Sequence, residues 1–182
     1  IFNGTSNYIL SSMDNQKKNF DEVLYLAKKL GYAESNPSAD INGDDVSSKL
    51  KILSSLCFNS FLNNNIYVEG IKDIDKTDID NANKLGFKIK LVGFAELLNN
   101  KIYQRVHPTL IKKESYVASI DGVLNAVIVD GKPVGQSTIQ GEGAGPEATT
   151  SALVSDISSV LRGNIKFPFS ISSKKRKKLI FE

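Results

Sequence analysis

Tryptophan is missing from this 182-residue chain, and histidine, cysteine and methionine occur once each. A lone Cys57 cannot form an internal disulfide, and with His107 as the only histidine there is no Cys/His cluster of the kind that holds a structural zinc. A metal is therefore not expected. Long hydrophobic runs are lacking too, since no segment approaches the roughly 18 consecutive apolar residues of a membrane-spanning helix. The opening residues show no basic, apolar and small-residue succession of an export signal, so the cytoplasm is the expected location. What is present suffices for a core. With 41% apolar and 24% charged residues, the chain has neither the low hydrophobicity nor the high net charge that keeps chains unfolded. At this length, one compact domain or two very small ones should bury roughly two-thirds of the unfolded surface.

The net charge of +3 is unevenly spread. Residues 164–182 hold six Lys/Arg, five of them in the run KKRKK at 174–178, against Glu182; residues 1–163 hold 17 basic side chains against 19 acidic ones. The body is slightly acidic, so nucleic-acid binding, which would need a basic face, gains no support from the charge. The run itself reads as a solvated linker or tail, because blocks of like charge repel and stay exposed. Domain boundaries at 1–163 and 164–182 follow. Translated chains begin with methionine, whereas this one opens on Ile1 and enters patterned sequence at once, so it is expected to be a segment of something longer.

Asn3 to Met13 reads as a short helix capped by Asn3, Thr5 or Ser6. From Asn19, FDEVLYLAKKL sets Phe20, Val23, Leu24, Ala27 and Leu30 three and four apart, with acids first, lysines last and Gly31 as the stop. A polar loop follows, then a helix over about 44–58 with Val46, Leu50, Leu53, Leu56 and Cys57 as its buried stripe. IYVEGI at 66–71 is a strand candidate, and Thr77 with Asp80 resembles a capping box opening a helix that Gly86 closes. Residues 87–97 and 101–111 alternate like strands joined at Leu98-Asn99-Asn100. Residues 125–129 and 134–140 make a second hairpin turning at Asp130-Gly131. A final helix over about 147–161 should place Leu153, Ile157, Val160 and Leu161 inward. Helices, then mostly antiparallel strands, then one helix imply an α+β domain with helices packed on one face of a mixed, mostly antiparallel sheet.

Two features could carry chemistry. Glu34, Asp40, Asp44, Asp45 and Lys49 fall within sixteen residues, and Asp45 and Lys49, four apart, share one helix face. That spacing fits an ordinary exposed salt bridge as well as two groups meeting one small ligand; the adjoining loop between two good helices is a usual place for binding groups. The run Gly141-Glu142-Gly143-Ala144-Gly145 precedes a helix. It fits a plain turn, or a backbone approached closely by an anion at the helix start, but its glycine spacing is not the dinucleotide fingerprint. His107, before Pro108, has no nucleophile or second ligand nearby in sequence and reads as structural.

Five segments carry a more specific signal: NGTSNYIL at 3–10, LGYAESNPSADINGDDVSSKL at 30–50, RVHPTLI at 105–111, DGVLNAVIVDG at 121–131 and GEGAGPEATTSALVSDI at 141–157. In chain order, over about 163 residues, they resemble the catalytic and dimerisation region of homoserine dehydrogenase. The resemblance implies interconversion of L-aspartate 4-semialdehyde and L-homoserine with NAD(P), on the route to threonine and methionine, by a cytoplasmic homodimer with no nucleic-acid or membrane partner. It implies that a nucleotide-binding domain precedes the NGT motif and holds most of the NAD(P), a further lysine and the monovalent-cation site; without it the chain would be inactive. By position, Lys49 matches the proton donor, with Asp45 beside it in the catalytic pair. Glu34 and Asp45 match the acids that hold the amino and hydroxyl end of homoserine, and Asp40, Tyr32, Thr5 and Gly4 match other substrate-pocket positions. Gly31 and Gly143 match backbone positions near the cofactor. Three residues depart from the family pattern: Asn36 stands where Asp is usual, Asp44 where an apolar residue is usual, and Glu142 where proline is common. An intact Lys49 favours the enzyme over the alternative, a non-catalytic dimeric amino-acid-binding module, which has no use for a proton donor.

Overall fold

The computed structural model describes residues 1–60, 62 and 65–163; the basic run assigned above to a tail lies outside them. The chain opens with helix α1 (Gly4–Gln16), whose cap is Asn3, its side chain accepting from the Ser6 amide at 2.7 Å. Helix α2 (Phe20–Lys29) follows with acids in its first turn and lysines in its last, as its pattern predicts. The expected polar loop contains a one-turn helix, α3 (Ser38–Ile41), which the short pattern was too brief to signal. Helix α4 (Asp44–Cys57) then runs close to its expected bounds.

The buried side of α4 differs from expectation. Val46 and Leu50 are buried, but Leu56 is 44% exposed and Cys57 is exposed, while Ser47, Ser54 and Ser55 lie inside. Ser55 can enter because its hydroxyl donates to the Lys51 carbonyl and accepts from the Leu62 amide, and a hydroxyl so paired costs little on burial.

The strand expected at 66–71 shrinks to β1 (Tyr67–Val68). At Gly70 the chain leaves the sheet to dock on α3: the Ile71 amide donates to the Ile41 carbonyl at 2.8 Å, and a Cβ on Gly70 would stand 2.1 Å from that same oxygen. Helix α5 (Lys76–Lys84) is opened by a reciprocal box between Asp75 and Asp78, rather than Thr77 and Asp80. Both pairs have the required spacing, and aspartate is the stronger cap.

Strands β2 (Phe87–Leu98) and β3 (Lys101–Lys112) pair antiparallel over their full lengths, and β1 joins β3 in parallel, giving a mixed sheet in the order β1-β3-β2. Leu98 belongs to the strand, so the turn is the two residues Asn99 and Asn100, both with positive φ, as a tight hairpin of right-handed strands requires. Strands β4 (Leu124–Gly131) and β5 (Gly135–Glu142) form a separate two-stranded ladder. Its turn is not at Asp130-Gly131. The ladder continues to Gly131 and Gly135, and the positive φ falls on Gly135, because Pro133 in the loop cannot adopt it.

Helices α1, α4 and α5 pack on β2, and the core joins Ile9, Leu10 and Met13 of α1 to Val23, Val46, Ile79, Leu91 and Val106. Each such fully buried side chain contributes about 1.5–3 kcal/mol. A smaller cluster of Ile1, Ile120 and Ala126 ties the chain's beginning to β4, where Ile1 and Ala126 exchange backbone hydrogen bonds. Helix α6 (Pro146–Leu161) overturns one expectation outright. Leu153, Ile157, Val160 and Leu161 are 58–82% exposed, and none of its residues is buried. Its apolar stripe meets no packing partner among the described residues.

Candidate functional site

Where α1, the α2–α3 loop, α4 and the β4–β5 ladder converge, a cavity of about 610 Å³ opens to solvent. Gly4, Thr5, Gly31, Tyr32, Glu34, Asp40, Asp45, Lys49 and Gly143, the nine positions singled out in the sequence, all line it. Glu142 lines it too, so a residue that departs from the family pattern is part of the site's wall.

Each wall has a local cause. Asp45 and Lys49 stand one turn apart on α4, and the Lys49 ammonium donates to Asp45 Oδ2 at 2.8 Å and to the Phe2 carbonyl at 3.0 Å. Two of its three N–H bonds are thus fixed and one remains for a ligand. Asp40 reaches the cavity because Asn36 starts α3: its side-chain oxygen accepts from the Ser38 hydroxyl and amide. Asparagine does this as well as aspartate, so that departure keeps its structural work. Asp44 is exposed in the first turn of α4 and does not line the cavity. Thr5 anchors the loop after α2 by donating to the Tyr32 carbonyl at 2.6 Å, and the Tyr32 ring stacks tilted on Tyr8 at 5.0 Å. Glu34 has no hydrogen-bond partner among the described residues, leaving its carboxylate available to a ligand.

Asn3 links the acids. Its side-chain amide donates to Asp40 Oδ1 at 2.6 Å and to Asp45 Oδ2 at 2.9 Å while its oxygen caps α1. The sequence offered Asn3 only as one of three candidate caps, since nothing in its spacing announced contacts 37 and 42 residues away. Val123 and Asn125 also line the cavity and were not anticipated; a lone Asn in an apolar strand pattern was the available signal. Asn125 lies so close to Gly143 that a Cβ there would meet its side-chain nitrogen at 1.6 Å, and its buried oxygen has no partner among the described residues. Gly31, with φ of +77°, has open space where a Cβ would stand. Four acidic residues and one amine line a site suited to a small molecule with a cationic group, held by charge-assisted hydrogen bonds. No group of three or more His, Cys, Asp or Glu side chains among the described residues is placed to hold a metal ion.

A profile of the homoserine dehydrogenase family matches residues 1–158. The chain belongs to this family. It is 45% identical over 166 residues to the homoserine dehydrogenase of Synechocystis sp., covering 88% of this chain and 38% of the relative, and 45% identical over 163 residues to that of Neisseria gonorrhoeae, covering 89% and 38%. The crystal structure of a homoserine dehydrogenase from Thiobacillus denitrificans superposes with a TM-score of 0.93 at 41% identity, covering 98% of this chain and 44% of that one. The α+β fold is thus that of a homoserine dehydrogenase domain. The chain spans about two fifths of the length of the relatives it matches. No helix among the described residues is long and apolar enough to cross a membrane.

Proposed function

We propose that this chain forms the substrate-binding and proton-transferring part of an NAD(P)-dependent homoserine dehydrogenase that interconverts L-aspartate 4-semialdehyde and L-homoserine in the cytoplasm. The observation that carries the reading is the Lys49 ammonium, held by Asp45 and the Phe2 carbonyl in one cavity with Glu34 and Asp40. Homoserine presents an ammonium at one end and a hydroxyl at the other. Glu34 and Asp45 receive these groups, Asp40 adds negative charge behind them, and Asn3 keeps Asp40 and Asp45 from drifting apart. In the reducing direction the third N–H of Lys49 bonds the aldehyde oxygen, stabilises the charge that gathers there and passes its proton to it; in the oxidising direction it takes that proton back. NAD(P), when bound, carries the hydride to or from the neighbouring carbon. Gly31 and Gly143 fit a cofactor edge because neither projects a side chain into the cavity. The rest of the cofactor, and the monovalent cation, would be held by the part of the relatives that this chain does not span.

A homodimer accompanies this reading. It is supported by Phe94, Leu97, Leu98 and Leu110, apolar residues of the three-stranded sheet that are 37–53% exposed, and sedimentation of the full-length protein tests it. The activity is tested by homoserine-dependent reduction of NAD or NADP by the full-length protein, with Lys49→Ala as the comparison. Turnover in the wild type that collapses in a folded Lys49→Ala supports the reading; a folded wild type inert with both cofactors refutes it.

A further inference from the structure

Beside the cavity's α1 wall, but outside the cavity, Lys90 of β2 is only 1% exposed and is the largest fully buried side chain described. All three of its N–H bonds are used: it donates to Asp121 Oδ1 at 2.7 Å, to the Ile120 carbonyl at 2.7 Å and to Asn7 Oδ1 at 3.0 Å. The other oxygen of Asp121 accepts from Lys88 at 2.9 Å. Asn7, on α1, donates in turn to the Ile120 and Leu124 carbonyls at 3.0 and 3.1 Å, and one turn later the Ser11 hydroxyl accepts from the Gly122 amide at 3.0 Å. Ile120, Gly122 and Leu124 are thereby strapped to α1, and Asp121 to β2, by polar contacts. The strap runs directly into the cavity, which Val123 and Asn125 line. It crosses the start of α1 so closely that a Cβ on Gly4 would stand 2.8 Å from the Val123 carbonyl oxygen.

An apolar side chain at position 90 would fill the same space without the cost of desolvating a charge, and burial indeed pushes the Lys90 amine below its usual 10.5 against the pull of Asp121. Apolar packing, however, fixes no direction. A buried ammonium accepts only an arrangement that brings three oxygens to set positions, here one from α1 and two from the strap.

We propose that Lys90 is a positioning residue of the substrate pocket: through Asp121, Ile120 and Asn7 it fixes residues 120–125 against the start of α1, and so sets where Val123 and Asn125 wall the cavity. This rests on the function proposed above for the consequence in catalysis, but not for the strap itself, and the two can be tested apart.

The experiment compares full-length wild type, Lys90→Met and Ser11→Ala by hydrogen exchange and by steady-state kinetics with homoserine, well below the melting temperature of each. Exchange of the amides at 122–125 is expected to quicken by about tenfold or more in Lys90→Met, with the amides of α2 unchanged. The KM for homoserine should rise by about tenfold, more than kcat falls, because the altered wall weakens binding rather than chemistry. Ser11→Ala, which buries no new charge, should show the same pattern at about threefold and serves if Lys90→Met does not fold. Unchanged exchange at 122–125 in a folded variant overturns the proposal, as does a lowered melting temperature with KM unaltered, the signature of a purely structural lysine. A wild type without homoserine turnover would remove the function proposed above, while the exchange comparison would still decide the strap.

Discussion

The Lys49 ammonium lies 2.8 Å from the Asp45 carboxylate, one turn earlier on α4. Taken alone, such a pair on a partly exposed helix face contributes about 0.3–0.5 kcal/mol, and both side chains keep substantial solvent contact, 43% and 29%. Its place in the cavity gives it a different value. Lys49→Ala should therefore change thermal stability very little and lower kcat by about 10²–10⁴-fold, the usual worth of a positioned proton donor. Turnover within a few-fold of wild type in the folded variant would show that the proton comes from elsewhere.

Asn3 has two separable jobs, capping α1 and joining Asp40 to Asp45. Serine can cap but cannot reach both acids. Asn3→Ser should leave stability within a few tenths of a kcal/mol, whereas Asn3→Ala should cost about 1 kcal/mol. Both should raise the KM for homoserine, since two carboxylates that are no longer bridged repel each other. Chemical denaturation and kinetics on the same preparations separate the two jobs; a KM that follows the cap alone would reject the bridge.

Glu142 adds a fourth carboxyl group to a cavity already lined by Glu34, Asp40 and Asp45. A phosphate-bearing cofactor at the Gly143 edge, as proposed, would be repelled by that charge, with screening over about 8–10 Å at physiological salt. Glu142→Gln should tighten cofactor binding by about two- to fivefold at low ionic strength and by less at high salt. Titration of NAD(P) into the full-length protein at two salt concentrations checks this, and an affinity indifferent to both changes would mean that Glu142 does not face the cofactor.

Much of this was legible in the sequence because it is local. The α2 period, the Asn3 cap, the four-residue step from Asp45 to Lys49 and the long hairpin of β2 and β3 each follow from neighbours within a few residues. What escaped depends on distant chain. The strand begun at Tyr67 stops because Gly70 meets Ile41, and Ser54 and Ser55 turn inward for reasons of packing that hydrophobic spacing does not record. Spacing predicts a buried stripe on α6 and the stripe is exposed, because spacing tells that a face is apolar but not what covers it. The cavity positions came from resemblance to a family; Asn3 as a bridge, Val123 and Asn125 came from geometry alone.

The pairing of buried Lys90 with partly exposed Asp121 gives stability a pH dependence whose sign can be worked out. Burial alone would raise the Asp121 carboxyl, but hydrogen bonds from Lys90 and Lys88 outweigh it and hold the group below its ordinary 3.8. A carboxylate depressed on folding binds fewer protons in the folded than in the unfolded state, so its contribution is in place above the ordinary value and is lost as pH falls through the folded one. Lys90 is also lowered, by burial first, from 10.5; the folded state then holds fewer protons than the unfolded one just below that value, and stability gains as pH rises through that interval. Replacing Asp121 by Asn should cost about 1–3 kcal/mol at neutral pH, because the enclosed Lys90 charge loses its counterion while the amide oxygen can still accept its hydrogen bond. The same variant should flatten the acid limb, since the group that titrates there is gone, and should steepen the alkaline gain, since Lys90 is then held lower still. Urea unfolding of wild type and Asp121→Asn across acid, neutral and alkaline pH measures all three. A variant whose acid limb matched that of wild type would show that other carboxylates, not Asp121, set the acid stability of this fold.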